Sequence, residues 1–381
     1  MSRHPDAEPL APGRLLHENR DAFSVYVAMS GQVDDKTDGR NPADGMTERW
    51  LLAGDIGGTK TTLALYPLTE SGEATATVTV PSRECAAFED ALSAFLSEHP
   101  VSPERAVIAV AGPVLGRRAR VTNLPWEIDA VSIEARFGIP RVDLLNDIEA
   151  LGWAVPDLDG NRLRILHAGQ SRERGPIAIL APGTGCGEAF LIWDGRRYIP
   201  QPTEAGHADY APSTPDHDDL LRYLRPSMER VSVESICSGL GLPNIYRFLR
   251  DVRGLDEEPW LASALRSSDD ATPIISAAAL EGRSDLCTET LRWFVDLLAA
   301  EARGFALRIL ATGGLFLGGG IPSRILPFLT DGQFVAAFQR EGPFADVLRD
   351  IQISVIVAPH ATLDGAAGVG RSFDRSASPR P

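Results

Sequence analysis

Cysteine is scarce in this chain. Cys85, Cys186, Cys237 and Cys287 are the only four, and they lie far apart. No C-x-x-C pair exists, so a zinc ribbon or finger is excluded. In a long acidic chain without a signal peptide, such scattered cysteines are expected to be reduced core residues of a cytoplasmic protein. Long apolar runs are also missing, and none approaches the length of a membrane span. The N-terminus lacks the basic region, apolar core and cleavage site of a secretory signal. Positive charge is in deficit, with 37 Lys and Arg against 52 Asp and Glu and a formal net charge of −15. That balance disfavours a nucleic-acid partner, whose phosphates would be repelled. A small anion bound here must be held by local donors, not by a basic surface.

What remains is an ordinary globular composition. The chain has 381 residues, 44% of them hydrophobic, enough for two domains. Residues 1–47 mix Pro, Gly, Asp and Arg and read as a disordered or loosely attached extension. Met46 stands just before the first strand and is a candidate initiator. From Trp50 the pattern becomes regular. Leu51–Ala53, Thr61–Tyr66 and Ala74–Val80 read as a strand meander. Phe88–Ser97 has helical spacing. Arg105–Val110 is a buried strand, Ile133–Phe137 a short helix, and Val142–Leu145 a strand ending at Asn146-Asp147. A second unit begins near Gly175, with strands at Ile177–Ala181 and Ala189–Trp193. Glu289–Ala306 reads as a long amphipathic helix, followed by a strand between two glycine clusters. The strand Ile351–Val357 and the small-residue helix Leu363–Val369 close the pattern.

The stretch Leu51 to Leu65 carries the most information. An apolar strand ends at Asp55, a turn follows with Gly57, Gly58, Thr59 and Lys60, and a second apolar strand leaves it. Adjacent glycines let backbone N–H groups approach an anion closely. Thr59 adds a hydroxyl donor, and Asp55 stands where a carboxylate holds Mg²⁺ through water. The turn is no Walker A loop, because G-x-x-x-x-G-K-[ST] is absent and a strand follows instead of a helix. No G-x-G-x-x-G opens a helix after Leu52 either. The competing reading is a plain Gly-Gly hairpin. Against it, Pro182-Gly183-Thr184-Gly185 repeats the same strand–turn–strand design in the second unit.

Six further motifs appear in order: Thr122-Asn123-Leu124-Pro125-Trp126, Leu145-Asn146-Asp147, Pro182-Gly183-Thr184-Gly185, Glu204-Ala205-Gly206-His207, Glu234-Ser235-Ile236-Cys237-Ser238-Gly239 and Gly318-Gly319-Gly320-Ile321. With Asp55 to Lys60 they make the chain resemble the bacterial glucokinase family over residues 48 to 371. Members of that family are ATP-dependent hexose kinases with a two-lobed, actin-like (ribonuclease-H-like) α/β ATPase fold, nucleotide and sugar lying in the interdomain cleft. The resemblance departs in small ways at Ala181, Cys186 and Ala205. The cysteine cluster of the related zinc-binding repressor/kinase family is missing, which places the chain with the zinc-independent members.

The resemblance implies a role for each motif. Asp147 is the expected general base. Asn123, Asn146, Asp147, Glu204, His207 and Glu234 are the expected sugar ligands, a mixture that can both donate to and accept from hydroxyls. Asp55, Gly57, Gly58, Thr59 and Lys60 would face the terminal phosphates from one side, and Gly183, Thr184 and Gly185 from the other. Gly313, Gly314, Gly318 and Gly319 would line the adenosine side. Plainer readings stand beside these. Asn146-Asp147 could cap the helix Ile148–Ala154, His207 could be structural, Glu234 could sit at a solvated helix start, and Lys60 could be a surface charge. Trp126 reads as a packing aromatic.

The expected organisation is a small lobe of residues 48–157 completed by 353–371, a large lobe of 158–352, and a flexible tail of 372–381. The expected activity is transfer of the γ-phosphoryl of ATP, with Mg²⁺, to the C6 hydroxyl of D-glucose by a cytoplasmic enzyme with neither nucleic-acid nor membrane partners. A homodimer is implied by the resemblance alone. Alternatives are a kinase of another hexose or amino sugar, a non-catalytic sugar sensor, and an actin- or chaperone-like ATPase. Asp147 argues against the sensor and the Glu-x-x-His set against the ATPase.

Overall fold

A computed structural model describes residues 49–69, 72–340 and 342–376, with side chains to residue 372. The extension 1–47 and the end of the tail, 377–381, lie outside the described residues.

Two sheets are built to one plan. In the first, β1 (Trp50–Ile56), β2 (Lys60–Pro67), β3 (Ala76–Pro81), β4 (Pro103–Val110) and β8 (Val142–Asn146) lie in the order β3-β2-β1-β4-β8. The meander β1–β2–β3 is antiparallel, and β4 and β8 continue parallel to β1. Between β4 and β8 the chain makes a small sheet of β5 (Val114–Leu115), β6 (Arg118–Arg120) and β7 (Glu127–Asp129). The second large sheet contains β9 (Leu163–His167), β10 (Ile177–Pro182), β11 (Cys186–Trp193), β12 (Tyr198–Thr203), β13 (Gly314–Leu317) and β14 (Ile353–Ile356), ordered β12-β11-β10-β13-β14-β9. Its first five strands repeat the first sheet, meander then parallel pair, and β9 adds an antiparallel edge.

The alternation of β1 explains why it is apolar on both faces up to Asp55. Leu52 and Ile56 face one layer with Phe88, Leu92 and Phe95 of helix α1 (Phe88–Glu98). Leu51 and Ala53 face the other with Leu363, Ala366 and Ala367. A strand covered on both faces cannot alternate apolar with polar, and each fully buried large side chain contributes roughly 1.5–3 kcal/mol. Helix α2 (Ala130–Phe137) is capped by Asp129, whose carboxylate accepts from the Val131 N–H at 2.9 Å, and it stops at Gly138 with φ 66°.

Two helices fill the layer between the sheets. Helix α3 (Asp147–Ala154) sets Ile148, Leu151 and Ala154 against Ile177, Ile179 and Ala189 of the second sheet. The C-terminal helix (Ala361–Ser376) lies on the first sheet and crosses α3. A Cβ on Gly365 would stand 1.8 Å from the Ala150 carbonyl oxygen, so the crossing requires glycine. Asp364 ties both sheets to this layer. It accepts from the Tyr66 hydroxyl at 2.9 Å and from the Arg162 guanidinium at 2.6 Å.

Helices α4 (Pro215–Leu224), α5 (Leu242–Asp251), α6 (Pro259–Arg266), α7 (Thr272–Leu280) and α8 (Asp285–Ile309) flank the other face of the second sheet around one large core. His217 (2% exposed) pins α4 to α8. Its Nε2 lies 2.9 Å from Asp296, and its Nδ1 lies 3.2 Å from the Ser213 hydroxyl.

Two expected boundaries move. Ile353–Ile356 pairs with β13 and β9, so this segment belongs to the second sheet, and the chain returns to the first layer only at Ala361. The tail does not begin at 372, since the last helix continues to Ser376.

Candidate active site

The carboxyl ends of the parallel strands carry the site. At the end of β1, Gly57 N–H donates to Lys60 O at 3.0 Å and closes the first turn. Ser82 braces the turn from below, donating its hydroxyl to Gly57 O at 2.8 Å and its N–H to Thr59 O at 2.9 Å. Thr59 and Lys60 are exposed at its crest. A Cβ on Gly58 would lie 3.2 Å from Thr122 O and 3.5 Å from Asn123 Cβ, so the motif holding Asn123 packs on this turn. Asn123 itself has φ 68°, a conformation asparagine tolerates better than most residues.

At the end of β8, Asn146 and Asp147 divide the work. Asn146 caps α3, its Oδ1 accepting from Ile148 N at 3.1 Å and Glu149 N at 3.3 Å while its Nδ2 donates to Gly112 O at 3.3 Å. Asp147 is the first helical residue and accepts from Ile148 N at 2.9 Å. Burial pushes its carboxyl up to about 6; the Ile148 N–H and the Asn146 amide restrain the rise, and the charge of Glu204 adds to it. Asp55 is pushed further, to about 7, by burial and then by the charge of Asp147, with Lys60 opposing. The two carboxyls therefore share one electrostatic site.

The second glycine turn lies at the end of β10, with Gly183 N–H donating to Gly185 O at 2.8 Å. Nothing lies within 4 Å of where a Gly183 Cβ would point, so the turn is open on that side. Gly185 has the opposite reason to be glycine. Its Cβ would stand 2.3 Å from Glu234 Oε2, the oxygen that accepts from Cys186 N at 3.0 Å. Glu234 sits in a turn, not at a helix start, and its N–H donates to Gly206 O at 2.8 Å. His207 stands between two acids, 3.9 Å from Glu234 and 4.0 Å from Glu204. Glu204 and His207 are open to solvent, while Glu234 is mostly covered.

Gly318 and Gly319 follow β13 and meet the same place. Gly318 N–H donates to Leu180 O at 2.7 Å, and Gly319, with φ 78°, has no room for a Cβ beside Pro182 O. Gly313 and Gly314 do not join them. They stand at the amino end of β13, where Gly313 packs on Gly175 and donates to Pro176 O, so the expectation that they line the adenosine side fails. Both clusters look alike in sequence, but a parallel strand presents only its carboxyl end to this face. The other expected residues converge from Asp55 through Asp147, Glu204, His207 and Glu234 to Gly185. Sequence reasoning missed Ser82 and Gly112, which brace the turn and Asn146. Gly112 gives no signal in the sequence; only the structure shows why it is glycine, with φ 155° and a Cβ that would lie 2.1 Å from Arg120 O. Trp126 is 4% exposed within the first core, as a packing aromatic.

The glucokinase family model matches residues 52–372. The chain belongs to the glucokinase family. A glucokinase of Nostoc punctiforme is 37% identical over 333 residues, 83% of this chain and 97% of that protein. The crystal structure of a glucokinase from an Antarctic psychrotroph is similar at TM-score 0.73 and 30% identity, covering 86% of this chain and 100% of that one. The fold extends further, to a repressor/kinase-type (ROK) glucokinase of Streptomyces griseus crystallised with glucose and AMPPNP, at TM-score 0.60 and 20% identity over 85% of this chain and 99% of that one. The α/β architecture is thus the actin-like sugar-kinase fold, and the family activity is ATP-dependent phosphorylation of glucose. Among the described residues no helix is long and apolar enough to cross a membrane.

Proposed function

We propose that Asp147 is the general base that takes the proton from the C6 hydroxyl of glucose as the γ-phosphoryl of ATP passes to that oxygen. The observation that carries this is its place at the carboxyl end of β8, as the first residue of α3 and on the face where the two glycine turns end their strands, with the charge of Glu204 adding to the rise of its own carboxyl and its charge adding to that of Asp55. The Asp147 carboxylate takes the proton as the C6 oxygen attacks. The oxygen–phosphorus bond forms, the bond to the β,γ-bridging oxygen breaks, and ADP leaves.

Glu204, His207 and Glu234 orient the sugar hydroxyls with Asn123, and Asn146 fixes the start of α3 so that Asp147 is aimed. The turns at Gly57–Lys60 and Gly183–Gly185 supply backbone and hydroxyl donors to the phosphates. The donor set fits Mg²⁺, which takes one or two carboxylates, waters and substrate phosphates in place of an all-protein cage. Asp55 would hold it through water, and when bound it neutralises charge on the transferring group. Closure of lobes built around the two sheets would exclude water. The assembly and compartment that go with this reading are a cytoplasmic homodimer.

The test is ATP consumption against glucose, mannose, fructose, galactose, N-acetylglucosamine and no sugar, with Mg²⁺ present or chelated. The expected result is turnover that requires both glucose and Mg²⁺. Turnover without sugar would instead indicate an ATPase, preference for another sugar a different kinase, and silence on every sugar a sensor.

A further inference from the structure

The amino ends of the parallel strands carry a second surface, which the reaction leaves unused. β11 runs eight residues from Cys186, beside the second glycine turn, to Trp193, so at ~3.3 Å per residue its far end is about 20 Å from that turn. There the hairpin turn 194–197 meets the loop 172–175 that precedes β10. The Tyr198 hydroxyl donates to Gly175 O at 3.1 Å, and Arg172 N–H donates to Thr312 O at 2.7 Å. Arg172, Arg174, Arg196 and Arg197 are all exposed on this surface. Asp and Glu outnumber Lys and Arg in the chain by 52 to 37, and arginines elsewhere find them, as Arg250 does with Glu257 at 3.0 Å and Arg340 with Asp296 at 2.9 Å. Among the described residues Arg172, Arg196 and Arg197 form no ion pair, and Arg174 has only Glu173 at 3.5 Å, itself 86% exposed. Asp194 Oδ1 accepts from the Arg196 and Arg197 N–H groups at 2.7 and 2.8 Å and closes the hairpin. Two of the guanidiniums lie instead on indoles, Arg174 Cζ 5.1 Å from the ring centre of Trp193 and Arg197 Cζ 4.9 Å from that of Trp153 on α3. Trp193 packs edge-on against Tyr198 at 5.3 Å. Arg174 keeps its place at φ 64°, a backbone conformation that persists only where the surroundings over-determine it. A guanidinium stacked on an indole has a fixed plane and presents its N–H edge outwards.

Oriented guanidiniums that lack carboxylates, in a chain of net charge −15, suit carboxylates carried by another molecule. The four are spread over two segments, so a run of acids, not a single ion, covers them. Nucleic acid is a poorer fit, because a duplex with about one charge per 1.7 Å meets the repulsion of the rest of the chain. We propose that this surface docks an extended acidic segment of a partner protein, whose Asp or Glu carboxylates pair side-on with Arg174 and Arg197 while Arg172 and Arg196 add attraction at the flanks. The surface lies at the opposite end of the strands from Asp147, so docking leaves turnover unchanged.

The experiment measures fluorescence anisotropy of a labelled deca-glutamate peptide titrated with the full chain. Wild type is compared with Arg174→Gln/Arg197→Gln, Arg174→Lys/Arg197→Lys, Arg172→Gln/Arg196→Gln and a control, Arg222→Gln/Arg283→Gln, which removes the same charge elsewhere. Wild type is expected to bind, and Arg174→Gln/Arg197→Gln to bind at least about tenfold more weakly. The lysine pair keeps the charge but loses the stacked plane, so it should also weaken, by about threefold or more. Arg172→Gln/Arg196→Gln disturbs neither indole stack and should weaken binding severalfold even if the stacked pair proves necessary for folding. The control should stay within about twofold of wild type. Absence of binding by wild type would overturn the proposal, and so would an equal loss in the control, since net charge alone would then explain the binding. Lysine variants that bind like wild type would contradict the side-on pairs. Tighter binding to phosphatidylserine–phosphatidylcholine vesicles than to the peptide would make the surface a lipid contact instead.

Discussion

Glu234 Oε2 lies 3.0 Å from the backbone nitrogen of Cys186, and only the missing side chain of Gly185 lets it get there. The second glycine turn and the Glu234 carboxylate are therefore one unit. Gly185→Ala would push the carboxylate off the Cys186 N–H and lose a hydrogen bond to a charged group, about 1.5–3 kcal/mol. The expected outcome is a lower thermal midpoint and a glucose KM raised at least about tenfold. Gly183→Ala is the control for stability, because its Cβ meets nothing. It should keep the midpoint while weakening ATP.

The carboxyl pair sets the pH profile. Asp147 is held at about 6 and Asp55 at about 7, and because they repel each other the protons leave in two shared steps. A base works deprotonated, so kcat/KM should rise with pH through about 6 and level off above about 7. A pH series in the glucose assay checks this. Raising Mg²⁺ from limiting to saturating should move the rising limb to lower pH, since a cation favours both carboxylates.

Glu188 on β11 is fully buried and both its carboxyl oxygens lack a hydrogen-bond partner. Burial, and then the charge of Glu301, push it up to about 8, with Arg308 opposing. The folded state therefore keeps a proton that the unfolded chain releases near 4.5. Its contribution is favourable below about 4.5 and is lost as pH rises towards 8. Glu188→Gln carries no such penalty. Its gain over wild type should be under about 1 kcal/mol at pH 5 and grow to the order of 4 kcal/mol at pH 8. Denaturant midpoints at the two pH values measure it.

The sequence disclosed most where structure is locally determined. The turns at Gly57–Gly58 and Gly183–Gly185 were legible because paired glycines between apolar strands leave few alternatives, and the repeat of that design matches the repeated strand order of the two sheets. Gly313 and Gly314 were misplaced because chemistry alone does not tell one end of a strand from the other. Only the parallel pairing of β13 with β10 puts Gly318 and Gly319 beside Pro182. The strand β12 was missed because Pro200 and Pro202 argue against a strand, and it lies where prolines are tolerated, at a sheet edge. The cap reading and the catalytic reading of Asn146-Asp147 concern different residues: Asn146 caps the helix, and Asp147 accepts from the Ile148 N–H beside it.

The most direct measurement compares turnover and glucose binding in Asp147→Asn. The substitution keeps the shape and removes the base. The expected result is a kcat lowered by about 10²–10⁴, with glucose affinity by calorimetry within about threefold of wild type. Wild-type turnover, or turnover and glucose binding lost together, would contradict the assignment of Asp147 as the base.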